Sequence, residues 1–203
     1  MARAAGLFRS VNIRGMGKTY SNVVGFDDAP FDRRHRGDVP VVGAVFAGRR
    51  FDGVLVGKVR RDGANAARNL AALVLDSKFR EHLQLVMLQG IALAGFNVVD
   101  VFELHRRLEL PVLVVARREP DLEAIREALF TRVRGGRRKW RLIERLGPME
   151  PAGPVWIQRL GLSRGTARRI VHRYALNGHV PEPLRVAHLI AGAIATGESR
   201  GRA

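Results

Sequence analysis

Two adjacent acids, Asp27 and Asp28, end a short apolar run that begins at Val23. The run favours a buried β-strand, and the Ala29-Pro30 step ends it. Because neighbouring strand residues point to opposite faces of a sheet, we expect the two carboxylates on opposite sides of the strand end. A carboxylate at a strand terminus can hold a metal ion or act as a base without burying an unpaired charge. A turn in which aspartate caps its own backbone is the alternative.

A large excess of basic residues is the main feature of the composition. The 203 residues include 35 Lys and Arg against 19 Asp and Glu, which gives a formal charge of +16 and an isoelectric point near 11.6. Such a charge repels itself unless a polyanion binds, and arginine grips phosphate bidentately, so nucleic acid is the expected partner. An arginine-rich composition spread evenly over the surface is the alternative. The basic segments in predicted loops or at element ends are Arg33-Arg34-His35-Arg36, Arg49-Arg50, Arg60-Arg61 and Arg137-Arg138-Lys139.

The length favours one domain over residues 1–203, with a basic N-terminal segment at 1–20 and a basic tail at 197–203. The sequence has no cysteine, which excludes disulfides and thiolate metal sites. No apolar run approaches a membrane span, and the N-terminus lacks the apolar part of a secretory signal, so we expect a cytoplasmic protein without a membrane partner. Residues 15–19 resemble a phosphate-binding loop, but that motif needs a glycine where Asn12 stands.

The hydrophobic pattern predicts a mixed α/β fold that starts with three antiparallel strands. A hairpin formed by residues 39–47 and 51–59 follows the first strand, and Asp62 stands just before the next helix, where the helix dipole alone would favour an acid. Continuous apolar runs further on predict strands buried on both faces. The later predicted elements are helix 64–75, strand 83–88, helix 97–108, strand 111–116, helix 121–130, a basic loop at 134–139, helix 140–146, strand 155–160, helix 163–176 and helix 184–194.

A right-handed crossover would lay the fourth strand parallel to the first. The ends of these two strands would then meet at one edge of the sheet, with the helix after the third strand beside them. This is the ribonuclease-H-like plan, and it would bring Asp27, Asp62 and Gln89 together from distant parts of the sequence.

Several segments resemble the endonuclease dU family, an endonuclease-V-like group of mostly archaeal proteins. The similarity runs over residues 15–203, and its motifs occur in the family's order. The segments that carry it are Val24-Gly25-Phe26-Asp27-Asp28-Ala29-Pro30-Phe31, Leu88-Gln89-Gly90-Ile91, Ala94-Gly95-Phe96-Asn97-Val98-Val99-Asp100, Pro181-Glu182-Pro183-Leu184-Arg185-Val186-Ala187-His188 and Ser199-Arg200-Gly201-Arg202-Ala203.

The resemblance implies metal-dependent cleavage of DNA near a deaminated base, in DNA repair, with deoxyuridine as the named target. Asp27 matches the first acid of endonuclease V, and Asp62 is the nearest counterpart of the second. Gln89 stands where that enzyme has its third acid, His188 matches a helix residue of the site, and Arg117 matches a basic residue after the fifth strand.

The resemblance also implies a cofactor and roles for these residues. Mg²⁺ or Mn²⁺ would be held by Asp27, Asp62 and Gln89, and Asp28 could compensate for the neutral amide. His188 would position or deprotonate the attacking water, and Arg117 would neutralise charge on the phosphate. Residues expected to contact the substrate, including a flipped base, are Gly90, Ile91, Gly95, Phe96, Asn97 and Arg185.

Two other functions stay open at this point. Gln89 replaces a charged ligand by a neutral one, which together with the positive charge favours a nucleic-acid-binding protein that does not cut. The expected partner is DNA, single-stranded or carrying a lesion, with RNA as an alternative, and the sequence predicts no oligomeric state. Residues 162–170 resemble the recognition helix of a helix-turn-helix, but the residues before them are predicted to form a strand where that motif needs a helix.

Overall fold

The computed structural model describes residues 19–199, and its centre is a seven-stranded mixed sheet. The strands are β1 (Asn22–Asp28), β2 (Asp38–Ala47), β3 (Arg50–Arg60), β4 (Leu85–Gln89), β5 (Ala92–Leu93), β6 (Asn97–Val98), β7 (Val112–Ala116), β8 (Glu150–Ala152) and β9 (Val155–Leu160). The helices are α1 (Ala66–Leu75), α2 (Val101–Leu108), α3 (Leu122–Arg132), α4 (Gly136–Leu146), α5 (Arg164–Tyr174) and α6 (Glu182–Thr196). The strands of the sheet lie in the order β3-β2-β1-β4-β7-β9-β8, while β5 and β6 form a separate hairpin.

Strand β1 joins the antiparallel half of the sheet to its parallel half. It pairs antiparallel with β2 on one side and parallel with β4 on the other, and β2 pairs antiparallel with β3. The sheet continues with β7 parallel to β4 and β9 antiparallel to β7. These pairings confirm the predicted antiparallel start and the predicted crossover. Residues 85–88 and 112–115 are buried throughout, as the continuous apolar runs indicated.

The residues of β1 alternate between two helical layers. Gly25 faces α6, because a Cβ added there would lie 2.6 Å from the carbonyl carbon of Pro183. Gly57 in β3 faces α1, where an added Cβ would lie 2.6 Å from a leucine side chain. The register through β2 places Asp28 on the same face of the sheet as Gly57. Asp28 therefore points to the α1 side and Asp27 to the α6 side, as strand alternation predicted.

Two predicted helix boundaries are wrong. Asn97 belongs to β6, and α2 begins only at Val101, after Asp100 accepts a hydrogen bond from the N–H of Glu103 at 3.0 Å. The buried side chain of Asn97 binds backbone elsewhere, which competes with a helical turn at this point. The segment at 134–139 is helical from Gly136 onwards, because α4 starts one turn earlier than the basic composition indicated.

The remaining helices agree closely with the sequence pattern. Ser163 caps α5 and accepts a hydrogen bond from the N–H of Thr166 at 3.2 Å. Strand β9 precedes this helix, so the helix-turn-helix alternative is wrong. Across residues 19–199 no helix is both long enough and apolar enough to cross a bilayer. Most of the basic N-terminal segment and the last four residues of the tail lie outside the described residues.

Candidate active site

Asp27 and His188 form a direct pair at the end of β1. The Oδ2 atom of Asp27 lies 2.8 Å from Nδ1 of His188, so this nitrogen carries the hydrogen and donates it to the carboxylate. The Asp27 side chain is 8% exposed and that of His188 36% exposed. The hydrogen bond to Asp27 raises the pKa of His188, although burial opposes the shift. Helix α6 can make this contact because Gly25 lets it approach β1 closely.

Asp28 lies on the opposite face and has a different partner. Its Oδ2 accepts a hydrogen bond from the backbone N–H of Ala94, in the β5–β6 hairpin, at 2.9 Å. Burial, and then the neighbouring charge of Asp27, raise the pKa of Asp28 to about 6. A nearby cation would stabilise the ionised form of this carboxylate, because its charge would offset both the burial and the repulsion from Asp27.

Gln89 extends the Asp27 side of the site. Phe26 pairs with Leu88 in the parallel register, so Gln89 follows on the same face as Asp27. Its side-chain Oε1 is buried and has no hydrogen-bond partner within residues 19–199. A buried acceptor without a partner is costly, so a donor or a cation at this position would stabilise it.

Arg117 is the fourth group on this side of the sheet. Val115 pairs with Gln89, and Arg117 lies two residues beyond it, just past the end of β7. The charge of Arg117 is close enough to lower the pKa of His188, which the hydrogen bond to Asp27 raises more strongly. The structure thus brings together Asp27, Gln89, His188 and Arg117, four residues expected from the sequence.

Asp62 is not in contact with this group, contrary to the sequence expectation. Its Oδ1 accepts a hydrogen bond from the N–H of Phe96 at 2.8 Å, and its own N–H donates to the carbonyl of Ala94 at 2.9 Å. Because Ala94 also donates to Asp28, the two acids are linked through one turn on the α1 side of the sheet. In the described part of the chain no three histidine or acidic side chains come together as a cation site.

The turn at 90–96 contains two glycines with positive φ angles. Gly90 and Gly95 have φ angles of +77° and +80°, which glycine adopts without strain. A Cβ at Gly95 would lie 2.6 Å from the Asp62 carboxylate, so the missing side chain makes room for that contact. Phe96 is partly exposed beside this turn, and Ile91 is partly exposed at its start.

Two residues expected to bind substrate have hydrogen-bond partners within the protein. Asn97 is fully buried, and its amide donates to the carbonyl of Arg60 and to Asn65 while its oxygen accepts from the N–H of Ala66. It thereby holds the β3–α1 connection, and neither amide proton is left for a ligand. The guanidinium of Arg185 is also occupied, because it donates two hydrogen bonds to the carboxylate of Glu182.

Lys139 is a residue of this region that sequence reasoning missed. Its ammonium group donates to the backbone carbonyl of Asp62 at 2.6 Å, and the residue is 5% exposed. Burial lowers the pKa of Lys139. Only the helical spacing of Gly136, Lys139 and Ile143, which are the buried residues of α4, could have indicated it, and the basic composition concealed that spacing.

Comparisons with known proteins identify a family and related structures. The model of the family described as endonuclease dU matches residues 19–195. A UPF0215 protein of Deinococcus radiodurans is 56% identical over 182 residues, which cover 90% of this chain and 93% of that protein. A crystal structure of a protein of unknown function from Archaeoglobus fulgidus has 36% identity and a TM-score of 0.79, covering 85% of this chain and 97% of the other.

A more distant likeness concerns the fold alone. An endonuclease V of Ciona intestinalis, solved with a DNA that contains an inosine followed by a ribo-adenosine, is 13% identical, with a TM-score of 0.52 and 82% of each chain covered. The mixed sheet flanked by helices therefore has the predicted ribonuclease-H-like topology.

Proposed function

This chain belongs to the endonuclease dU family, and we propose that it is a metal-dependent endonuclease that cuts DNA near a deaminated base, deoxyuridine being the target. The observation that carries the proposal is the buried Asp27 carboxylate, paired with His188 at the end of a central strand. The fold shared with an endonuclease V that was solved with DNA supports nucleic acid as the partner, and so does the charge of +16.

The donor chemistry at this edge of the sheet fits a hard divalent cation. Asp27 and Asp28 supply carboxylate oxygens, and Gln89 supplies the buried amide oxygen without a partner among the described residues. Mg²⁺ prefers oxygen ligands and keeps several waters, so few protein ligands suffice. We propose that Asp27 and Gln89 hold Mg²⁺ or Mn²⁺, with Asp28 adding charge from the other face and Asp62 holding the neighbouring turn. When bound, the ion would lower the pKa of a water and stabilise the leaving oxygen.

The remaining residues of the group have complementary tasks. His188 donates through Nδ1 to Asp27, which leaves its Nε2 in the neutral ring as the nitrogen that can accept a proton from water. Arg117 carries a positive charge beside them that can neutralise a phosphate oxygen. A base turned out of the stack would lie against Gly90, Ile91, Gly95 and Phe96, where the backbone comes to the surface.

A nucleic-acid-binding protein without cleavage activity is the second candidate. It is favoured by one observation, the neutral Gln89 at a position where a charged ligand would bind the ion more strongly. This function predicts binding that falls steeply with salt and no product under any metal.

A cleavage assay separates the two functions. Labelled single strands and duplexes that carry uracil, hypoxanthine or no lesion are incubated with Mg²⁺, Mn²⁺ or a chelator. We expect the uracil substrate to be cut. This cutting should require the metal and should be lost in Asp27→Ala. Binding without product in every combination would overturn the nuclease and leave the binding protein.

Gln89→Asp is the companion variant in the same assay. A carboxylate at this position adds a charged ligand, so we expect about tenfold tighter Mn²⁺ binding and faster cutting. Mn²⁺ binding is followed by calorimetry on the free protein. If neither quantity changes, residue 89 lies outside the metal site.

A further inference from the structure

A basic cavity lies between the β1–β2 connection and the end of β3, and it has a volume of about 440 Å³. Five arginines contribute to its wall, namely Arg33, Arg34, Arg36, Arg60 and Arg61, together with the carboxylate of Asp62. A cavity of this size holds more than one phosphate group, since pockets of about 300–1,000 Å³ take whole small molecules. The guanidinium groups outnumber the one acidic residue, so the wall of the cavity carries a net positive charge.

The loop that carries three of these arginines is held in place by a fourth. The guanidinium of Arg61 donates to the carbonyls of Arg33, at 2.6 Å, and His35, and its backbone N–H donates to the carbonyl of Gly37 at 2.8 Å. The same guanidinium lies 5.5 Å from the centroid of the Phe31 ring. Arg61 is therefore a structural residue, and it orders the loop before any ligand binds, which lowers the entropic cost of binding.

The other four arginines keep their charge available. Arg33, Arg34, Arg36 and Arg60 are exposed, and within residues 19–199 their guanidinium groups form no ion pair with an acid. Arg185, by contrast, is neutralised by an acid on its own helix. Planar guanidinium groups that are not neutralised match the geometry of phosphate oxygens.

Short contacts connect the cavity to the end of β1, on the face opposite Asp27. Asp62 in the cavity wall binds Ala94 and Phe96 of the turn at 90–96, and Ala94 binds Asp28. The basic loop itself starts only a few residues after Asp28 in the chain. A polymer that reaches from the end of β1 past this turn would enter the cavity.

We propose that this cavity binds backbone phosphates of a nucleic-acid strand on one side of the cleavage position, and that it does so without the metal. The location relative to the cut rests on the proposed function, whereas the binding itself does not. The cavity thus sets how the strand lies across the site, while Asp27 and His188 act on the scissile bond.

The test compares two variants with equal losses of charge. One variant carries Arg33→Gln, Arg34→Gln and Arg36→Gln in the cavity. The other carries Arg168→Gln, Arg169→Gln and Arg173→Gln on the exposed side of α5, a helix whose end contacts the start of β1 through Tyr174, away from the acids. Binding of a fluorescent single strand is measured by anisotropy in chelator, over a range of salt concentrations.

We expect the cavity variant to bind at least about tenfold more weakly at low salt, with a salt dependence shallower by about 1.4 in slope, as for two lost phosphate contacts. The α5 variant should show less than a third of this loss of affinity and less than a third of this change in salt dependence. Equal losses in the two variants would overturn the proposal, because they would reflect net charge alone. Free inorganic phosphate that displaces the strand at a similar molar concentration would also overturn it, since a single anion would then be the ligand.

Further measurements keep the outcome interpretable. A thermal melt shows whether the cavity variant folds. If it does not, the single variant Arg60→Gln, which lies outside the loop, replaces it. Losing one phosphate contact should weaken binding of the strand about twofold to fivefold. If the cavity binds the strand equally in the ground state and in the transition state, the cavity variant should cut with a raised KM and an unchanged kcat. A wild-type protein that never cuts would refute the nuclease proposal and leave the anisotropy comparison valid.

Discussion

Asp27 and Asp28 are neighbours in sequence, yet they lie in different surroundings on the two faces of β1. Asp27 is buried against α6 and contacts a histidine that is partly open to solvent, next to an amide oxygen without a partner in the described chain. Asp28 contacts the backbone of the β5–β6 hairpin, and its pKa is raised to about 6. One face thus offers groups that can bind and transfer protons, and the other anchors a loop.

The difference shows how a strand end can separate two tasks. Asp27 accepts from the N–H of Asp28 and from the side chain of His188, and a side-chain partner can be exchanged for a ligand. Asp28 accepts from the backbone N–H of Ala94 and so holds a turn in position. The anchored turn at 90–96 is also the turn that Asp62 contacts, so Asp28 and Asp62 both position it. The acids on the α1 side therefore hold a loop in place, and under the proposed function Asp27 would support the chemistry.

The largest expected effect contrasts the two acids directly. Asp27→Asn should lower the single-turnover cleavage rate by at least about 10³-fold, because it removes the charge of the metal ligand and the negative charge beside His188. Asp28→Asn should lower it by less than about tenfold, because an amide oxygen can still accept from Ala94. Rates are measured on a uracil duplex at saturating metal. Equal losses would mean that both faces belong to one catalytic site.

The second prediction concerns stability without metal. The pKa of Asp28 is raised in the folded state, so the folded protein binds the proton more tightly and loses stability as the pH rises from about 4 to about 6. Above pH 6 the cost is complete, and Asp28→Asn should then be more stable than the wild type by up to about 3 kcal/mol. Urea unfolding of both proteins in the presence of a chelator, at pH 4 and pH 8, measures this difference in stability.

A control defines what is specific to this position. The exposed Asp52→Asn should change stability by less than about 0.5 kcal/mol at both pH values. A gain from Asp28→Asn that is equal at pH 4 and pH 8 would contradict the electrostatic cause.

The third prediction tests how α6 is held against the Asp27 face. Gly25→Ala adds a Cβ 2.6 Å from backbone of Pro183, so it should destabilise the fold by about 2 kcal/mol and move His188 away from Asp27. Gly165→Ala in the exposed face of α5 is the matched change, and among residues 19–199 the added Cβ would meet only the end of the Arg169 side chain, at 3.5 Å. That variant should be neutral or more stable by up to about 1 kcal/mol. Similar unfolding midpoints would show that α6 can shift at no cost.

The smallest expected effect belongs to the histidine of the pair. Its pKa is raised in the folded state by the bond to Asp27, so its contribution is fully present below pH 6.5 and is lost as the pH rises through the raised pKa. Since His188 is more than a third exposed, solvent screening keeps this contribution below about 1 kcal/mol. Wild-type stability minus that of His188→Gln should therefore shrink between pH 6 and pH 9 in chelator. A constant difference would argue against a protonated pair.

Local pattern was sufficient for most of the fold. Apolar runs located six of the seven strands of the central sheet, and the crossover rule placed β4 parallel to β1. Alternation within one strand was enough to separate Asp27 from Asp28 before any contact was known. The local pattern did not predict β8, a three-residue strand with a proline. It also misplaced the start of α4, where basic residues hid a buried helical face.

The sequence by itself determined the strand end that carries Asp27, the amide at position 89 and the excess of positive charge, since each depends on residue type and short-range periodicity. The tertiary structure alone decided that Asp62 binds the turn at 90–96 and that the ammonium group of Lys139 binds the carbonyl of Asp62. These contacts depend on which helix packs on which face and on side-chain rotamers. Long-range packing sets both of them, and no local pattern in the chain encodes them.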